Sequence, residues 1–112
     1  MIRFVRFPKW FPYTGVTLWP FILISKDYAG KPAGVIDAII NHERIHLQQQ
    51  CELLIVGFFF IYLLEYLVGI ITEGTHNAAY LSISFEREAY VNQSDKHYLK
   101  NRPAFAWAKY WV

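Results

Sequence analysis

The sequence predicts a single α+β domain, mostly helical, and three observations carry that reading. At 112 residues the chain can bury one modest core and is too short for a separate substrate domain, so residues 1–112 are read as one unit. A β-branched and aromatic segment at residues 15–25 is the clearest strand signal, and the chain beyond residue 32 is dominated by apolar residues at helical spacing. No repeat, glycine-rich phosphate loop or low-complexity linker divides the chain.

Taken in order, the N-terminal eight residues lack the apolar run and small-residue cleavage site of a signal peptide. Residues 15–25 are expected to form one strand or a short hairpin arm. Pro20 cannot donate to a sheet ladder, so the strand lies at an edge or breaks there. The Ala29-Gly30-Lys31-Pro32 turn leads into a helix starting at 33–36, with Asp37 favourably placed near its positive end.

That helix carries His42-Glu43-Arg44-Ile45-His46, the pattern H-E-x-x-H. Residues four apart share a helix face, so His42 and His46 can aim two imidazole nitrogens at one metal ion. Glu43, beside them, can then take a proton from a metal-bound water as it attacks a carbonyl. Four His and six Glu in this length would produce the pattern by chance about 0.7% of the time, so it needs a further ligand to carry weight. A hydrolytic zinc usually takes three protein ligands and keeps a fourth position for water.

The segment Phe85-Glu86-Arg87-Glu88-Ala89-Tyr90, within an expected helix over 77–99, supplies the candidate. Here the chain resembles the gluzincin metallopeptidases, in which a second helix offers a glutamate three residues before an alanine, the spacing of Glu86 and Ala89. The resemblance extends to Gln49 and Gln50, since some small bacterial proteins of this kind carry paired glutamines after the second histidine; it spans roughly residues 35–100. It implies zinc held by His42, His46 and Glu86, Glu43 as general base, a minimal zincin-like core, and a peptide or protein substrate. The 16–24 strand would border the cleft and could pair with an extended peptide. Many such enzymes place an acid four positions after the ligand glutamate; here that position is Tyr90, whose hydroxyl could bond an imidazole or an oxyanion. Glu88, about 200° around the helix from Glu86, is expected at the surface or behind the ligands.

Residues 53–72 contain one charge, Glu65, and meet the length rule for a membrane span. A straight span would leave the histidines and Glu86 on opposite sides of a bilayer, so a three-ligand site demands that the chain turn back between 53 and 77. Gly57, Gly69 and Glu73-Gly74 are the natural breakpoints. Glu65 has two readings, an acceptor behind His42 or His46 or an ion pair with Arg44 or Arg87. The other faces of this segment should meet a membrane surface, a second subunit, or the chain's own aromatic ends. Asn101-Arg102-Pro103 ends the last long helix, and Pro103 opens a short aromatic one. His76 and His97 are spare titratable groups, and His76 could donate to an oxyanion.

Composition limits the rest. Eleven basic against nine acidic residues, with no Lys/Arg run, give no nucleic-acid footprint. Cys51 has no internal disulfide partner and reads as a buried thiol in a reducing, cytoplasmic setting, with membrane association as the open alternative. Aromatic residues gather at both ends, in Phe4, Phe7, Trp10, Phe11 and Tyr13 and in Phe105, Trp107, Tyr110 and Trp111, either capping the core or forming a membrane-interface belt. The leading function is zinc-dependent hydrolysis of a peptide or related amide. The rival is a small membrane-associated or oligomeric structural protein whose His/Glu cluster is inert or binds metal without catalysis.

Overall fold

Three short strands precede five α-helices in the computed structural model, which describes residues 2–10 and 13–111, so the mostly helical α+β expectation holds. Phe11 of the first aromatic group lies outside the described residues. Strands β1 (Ile2–Val5), β2 (Gly15–Leu18) and β3 (Phe21–Ser25) form one sheet in the order β1-β3-β2. β1 runs parallel to β3, with Ile2 opposite Ile22, and β2 runs antiparallel to it, with Gly15 opposite Ile24. The predicted strand therefore breaks at Pro20, as one of the two readings required: Trp19 and Pro20, joined by a cis peptide, form the hairpin connection. Ile22 and Ile24 are fully buried and anchor the central strand by the period-two alternation of a pleated sheet.

Helix α1 (Ala33–Glu52) begins after Pro32, and its buried positions are 42, 43, 45, 46, 49 and 50, the spacing of a single helix face. That face is unusual in content. Ile45 is its one hydrophobic residue; the others are His42, Glu43, His46, Gln49 and Gln50. Burying so many polar groups is costly unless each is hydrogen-bonded, so the face is built around polar contacts rather than oil.

The chain turns back twice, as a three-ligand site demands, though not wholly where expected. The first reversal is at 53–55 rather than Gly57, with Leu54 and Ile55 at φ of 56° and 50°. A left-handed β-branched residue is strained by about 1–3 kcal/mol, and Ile55 is held there by its N–H to Gln50 O at 2.8 Å. Helix α2 (Val56–Glu73) then runs to Gly74, a left-handed cap at φ 83° whose N–H bonds Ile70 O. Gly69 is no breakpoint. It lies mid-helix, where an added Cβ would meet Ala79 Cα at 2.9 Å, so its role is to let α2 and the next helix approach closely.

The expected 77–99 helix is three pieces, α3 (His76–Ser82), α4 (Ser84–Asn92) and α5 (Tyr98–Asn101). Thr75 caps α3 through the Ala78 N–H, and Ile83, in extended conformation, separates α3 from α4. The Glu65 carboxylate accepts from Ser84 N–H at 2.7 Å and Ser84 Oγ–H at 2.8 Å, which caps α4 from the neighbouring helix. Neither reading of Glu65 stands: it serves no imidazole and pairs with neither arginine, because a helix N-terminus with free N–H groups is a nearer acceptor need. Phe58, Ile83 and Phe85 form the small core. Trp107, on a 3-10 turn (Ala106–Tyr110), closes it with its ring 4.9 Å from that of Phe85. The C-terminal aromatics thus cap the core in part, while Trp10, Phe105 and Trp111 are exposed. Cys51 is exposed rather than buried, because it falls outside the buried face of α1.

Candidate metal centre

Helices α1 and α4 cross so that three ligand-capable atoms meet. His42 Nε2 and His46 Nε2 lie 3.1 Å apart, and Glu86 Oε1 is 3.2 Å from the first and 3.0 Å from the second. All three residues are 4–6% exposed. A tetrahedral zinc with ligands at 2.0–2.1 Å sets ligand atoms about 3.3–3.4 Å apart, so a cation would widen this triangle by only a few tenths of an ångström. The donor set, two imidazoles and one carboxylate, is one that zinc takes in hydrolytic sites. Among the described residues this is the one group of three or more His, Cys, Asp or Glu so arranged.

What lies behind the three side chains explains their aim. His46 Nδ1 is 2.8 Å from Gln49 Oε1, and His42 Nδ1 is 2.8 Å from Gln93 Oε1. The Gln49 amide has its orientation fixed independently: its nitrogen donates to Phe85 O at 3.1 Å and to Glu88 Oε1 at 2.9 Å, so its oxygen must face His46. A neutral imidazole whose Nδ1–H donates to its glutamine turns its Nε2 lone pair toward the cluster. Glu88 is fully buried and so takes the second of its two expected places, behind the cluster through Gln49, and it accepts from Tyr98 Oη and from Arg102 Nε, both at 2.5 Å. Arg102 also bridges to Glu52 at 2.8 Å, so one polar chain runs from His46 to the end of α1.

Glu86 is equally well held. Its second oxygen accepts from Tyr62 Oη at 2.7 Å. Burial alone would raise its pKa, but the adjoining His46 and His42 outweigh burial and hold the carboxyl well below the usual range. Burial alone would lower His46, yet the Glu86 charge beside it wins and lifts the imidazole to about 9.

Glu43 is 6% exposed and faces the sheet rather than the other helices. Thr17, on edge strand β2, points its hydroxyl at Glu43 Oε1 (2.8 Å) and Glu43 O (3.0 Å). Gly15 leaves room beside that carboxylate: a Cβ there would lie 3.3 Å from Oε2. Gln50 pins the strand to α1, donating to Thr17 O and accepting from Trp19 N, each at 2.8 Å. Glu43 and the three-residue cluster share the wall of a cleft of about 240 Å³, bordered by β2 on one side and by Phe58, Phe59 and Tyr62 of α2 on another.

The remaining sequence candidates fall around this centre. Tyr90 touches His42 through its ring, at 4.5 Å between centroids, while its hydroxyl pairs with that of Tyr80 at 3.1 Å. The hydroxyl therefore orients no imidazole. His76 bonds the Tyr66 and Tyr13 hydroxyls, at 2.8 and 3.4 Å, and none of the three cluster residues. Glu65 lies at the N-terminus of α4 and bonds none of the three cluster residues. Sequence reasoning missed Thr17, Tyr62, Tyr80 and Gln93. Thr17 and Gly15 sit two apart on one strand and so share a face, but nothing in their identity says that Glu43 lies opposite. Burial and the Glu86 charge push the Tyr80 phenol far up, so it stays a hydrogen-bond donor. Compared with known protein families, with curated proteins and with solved structures, the chain matches none.

Proposed function

We propose that this protein is a zinc-dependent hydrolase of peptides or related amides, with a minimal gluzincin-like core. The observation that carries the reading is the convergence of His42 Nε2, His46 Nε2 and Glu86 Oε1 within 3.2 Å of one another, with both Nδ1 atoms turned outward onto glutamine oxygens. His42, His46 and Glu86 would hold the ion. Zinc bound there would polarise a substrate carbonyl and bring the pKa of water at the site down to about 7.

The chain's own groups supply the rest of the chemistry. Glu43 accepts the proton of the attacking water and delivers it to the leaving amine, and Thr17 keeps the carboxylate in one rotamer while it does so. Tyr62 fixes the Glu86 carboxylate, leaving Oε1 toward the histidines. On the outer edge of β2 Gln50 already takes Thr17 O and Trp19 N, so an extended peptide would add at the Gly15 end, beside Glu43. Tyr80, a neutral phenol on the cleft wall whose hydroxyl pairs with that of Tyr90, is a donor that could turn to a developing oxyanion.

The test is metal content and turnover together. Purified wild type should carry near one zinc per chain, and His46→Ala and Glu86→Ala should lose it. Glu43→Gln should keep zinc while peptide hydrolysis falls about 10²–10⁴-fold. A folded wild type that takes up no zinc would end the proposal; zinc retained with equal turnover in Glu43→Gln would remove the general base.

A further inference from the structure

The outer half of α2 is a continuous apolar surface that no described part of the chain covers. Every exposed side chain between positions 56 and 71 is apolar, and Phe60, Leu63, Leu67 and Ile71 are 48–83% exposed. At 100° per residue the edges of this face, Phe59 and Val68, lie about 180° apart, so the face is half the helix circumference. Summed over side-chain sizes, the exposures come to roughly 900 Å², against about 300–600 Å² for the largest patch on a typical monomer.

We propose that this half-cylinder is embedded in one leaflet of a lipid bilayer, with the helix axis lying in the plane of the membrane. Three features favour lipid over a second protein. A second helix packs along a stripe narrower than this face and would leave both flanks in water, whereas acyl chains cover a half-cylinder evenly. A protein interface carries about one hydrogen bond per 100–200 Å², and between 56 and 71 the exposed side chains offer no donor or acceptor. At the α1–α2 junction, Gln50 also holds the hairpin tip, where Leu18, Trp19 and Phe21 are 45–53% exposed, and Trp is a side chain suited to the lipid–water boundary. In-plane seating follows from the packing: the opposite face of α2 is committed along its length to α3 and α4 through Tyr62, Glu65 and Gly69, so a span would carry Glu86 and its buried partners into the hydrocarbon.

Phe59 belongs both to this face and to the cleft wall, so the cleft mouth opens beside the lipid. On the hydrolase reading, on which this step alone rests, the substrate is a peptide segment held at the membrane surface.

The experiment is flotation of the full chain with phosphatidylcholine vesicles, carried out both zinc-loaded and in chelator so that the result does not depend on the metal centre. Wild type should float equally in low and high salt, because the attraction is apolar. Leu63→Glu/Leu67→Glu, at the centre of the face, should bind roughly a hundredfold more weakly while keeping its circular dichroism. A wild type that stays unbound, whether monomeric or dimeric by sedimentation, overturns the proposal. Should the double variant misfold, depth decides: in a Cys51→Ser background, fluorescent probes at Phe60→Cys, Leu67→Cys and Ile71→Cys should report one common shallow depth. A progression of about 16 Å between the first and last would mean a span and equally overturn it.

Discussion

Gln49 and Gln50 are adjacent on α1, both buried, and the structure gives them separable work, so substituting each to alanine tests how the centre is built. Gln49→Ala removes the acceptor on His46 Nδ1 and strips donors from Phe85 O and Glu88 Oε1. Losing the outer partner of a metal-binding imidazole lowers affinity about 10–100-fold, equivalent to about 1.4–2.7 kcal/mol. The His46 Nδ1–H is left without its acceptor, at a cost of about 1–3 kcal/mol in stability, while Glu88 Oε1 keeps Arg102 Nη2 at 3.1 Å. Gln50→Ala instead frees Thr17 O and Trp19 N, both on the hairpin, and should destabilise by about 1–3 kcal/mol while leaving zinc affinity within about threefold. Zinc Kd by competition with a chelating dye, with urea unfolding on the same samples, measures both quantities. Equal weakening of zinc in the two variants would mean that α1 has merely loosened, and a folded Gln49→Ala with unchanged Kd would refute the claim that the amide aims the imidazole.

The buried charges carry two further predictions. Arg102→Met leaves Glu88 and Glu52, whose side chains are 0% and 7% exposed, without their cation, and should cost about 3–5 kcal/mol in urea unfolding; adding Glu88→Gln should return part of it by removing one stranded charge. In chelator, stability should also depend on pH through His46 and Glu86. The raised imidazole contributes fully below its ordinary 6.5 and loses that contribution as pH climbs through about 9, while the depressed Glu86 contributes above its ordinary 4.5 and fails in acid. The metal-free protein should therefore be most stable between about pH 4.5 and 6.5 and weaken toward pH 9.5, by about 3 kcal/mol at most. Saturating zinc should abolish the alkaline loss, and a chelated protein equally stable at pH 6 and 9.5 would contradict it.

How much of this is legible in the sequence depends on the range of the interaction. The His42 and His46 alignment follows from helical period alone, and Pro20 and Gly74 mark real interruptions because their constraints are local. Glycine preference places the first turn-back near Gly57, whereas it occurs at Leu54 and Ile55, residues whose own preferences oppose a left-handed backbone; tertiary packing, not propensity, forces the chain there. The partners of Glu65 and Glu88 escape sequence reasoning on similar grounds. A buried carboxylate is known to need a partner, but which partner depends on helix crossings: Ser84 lies 19 positions from Glu65 and Arg102 lies 14 from Glu88. Thr17 against Glu43, 26 positions apart, becomes visible only once the sheet is laid against α1.

The distribution of polarity across α1 and α2 ties these observations together. In a water-soluble domain the apolar face of a helix points inward, yet α1 buries two histidines, a glutamate and two glutamines, while α2 turns its most apolar half outward. The fully apolar interior that remains is small, with Phe58, Ile83 and Phe85 at its centre. Such a chain has little hydrophobic reserve, so ligands that bind only the folded state count for much of its stability: at a hundred times Kd, zinc would add about 2.7 kcal/mol, and lipid over α2 would add its own increment. The two terms should be separable, because Glu86→Ala removes the first and Leu63→Glu/Leu67→Glu the second. If zinc and vesicles each raise the unfolding midpoint of wild type, and each variant loses only its own increment, the inward polarity of α1 and the outward apolarity of α2 are two halves of one design, a metal centre carried at a membrane surface.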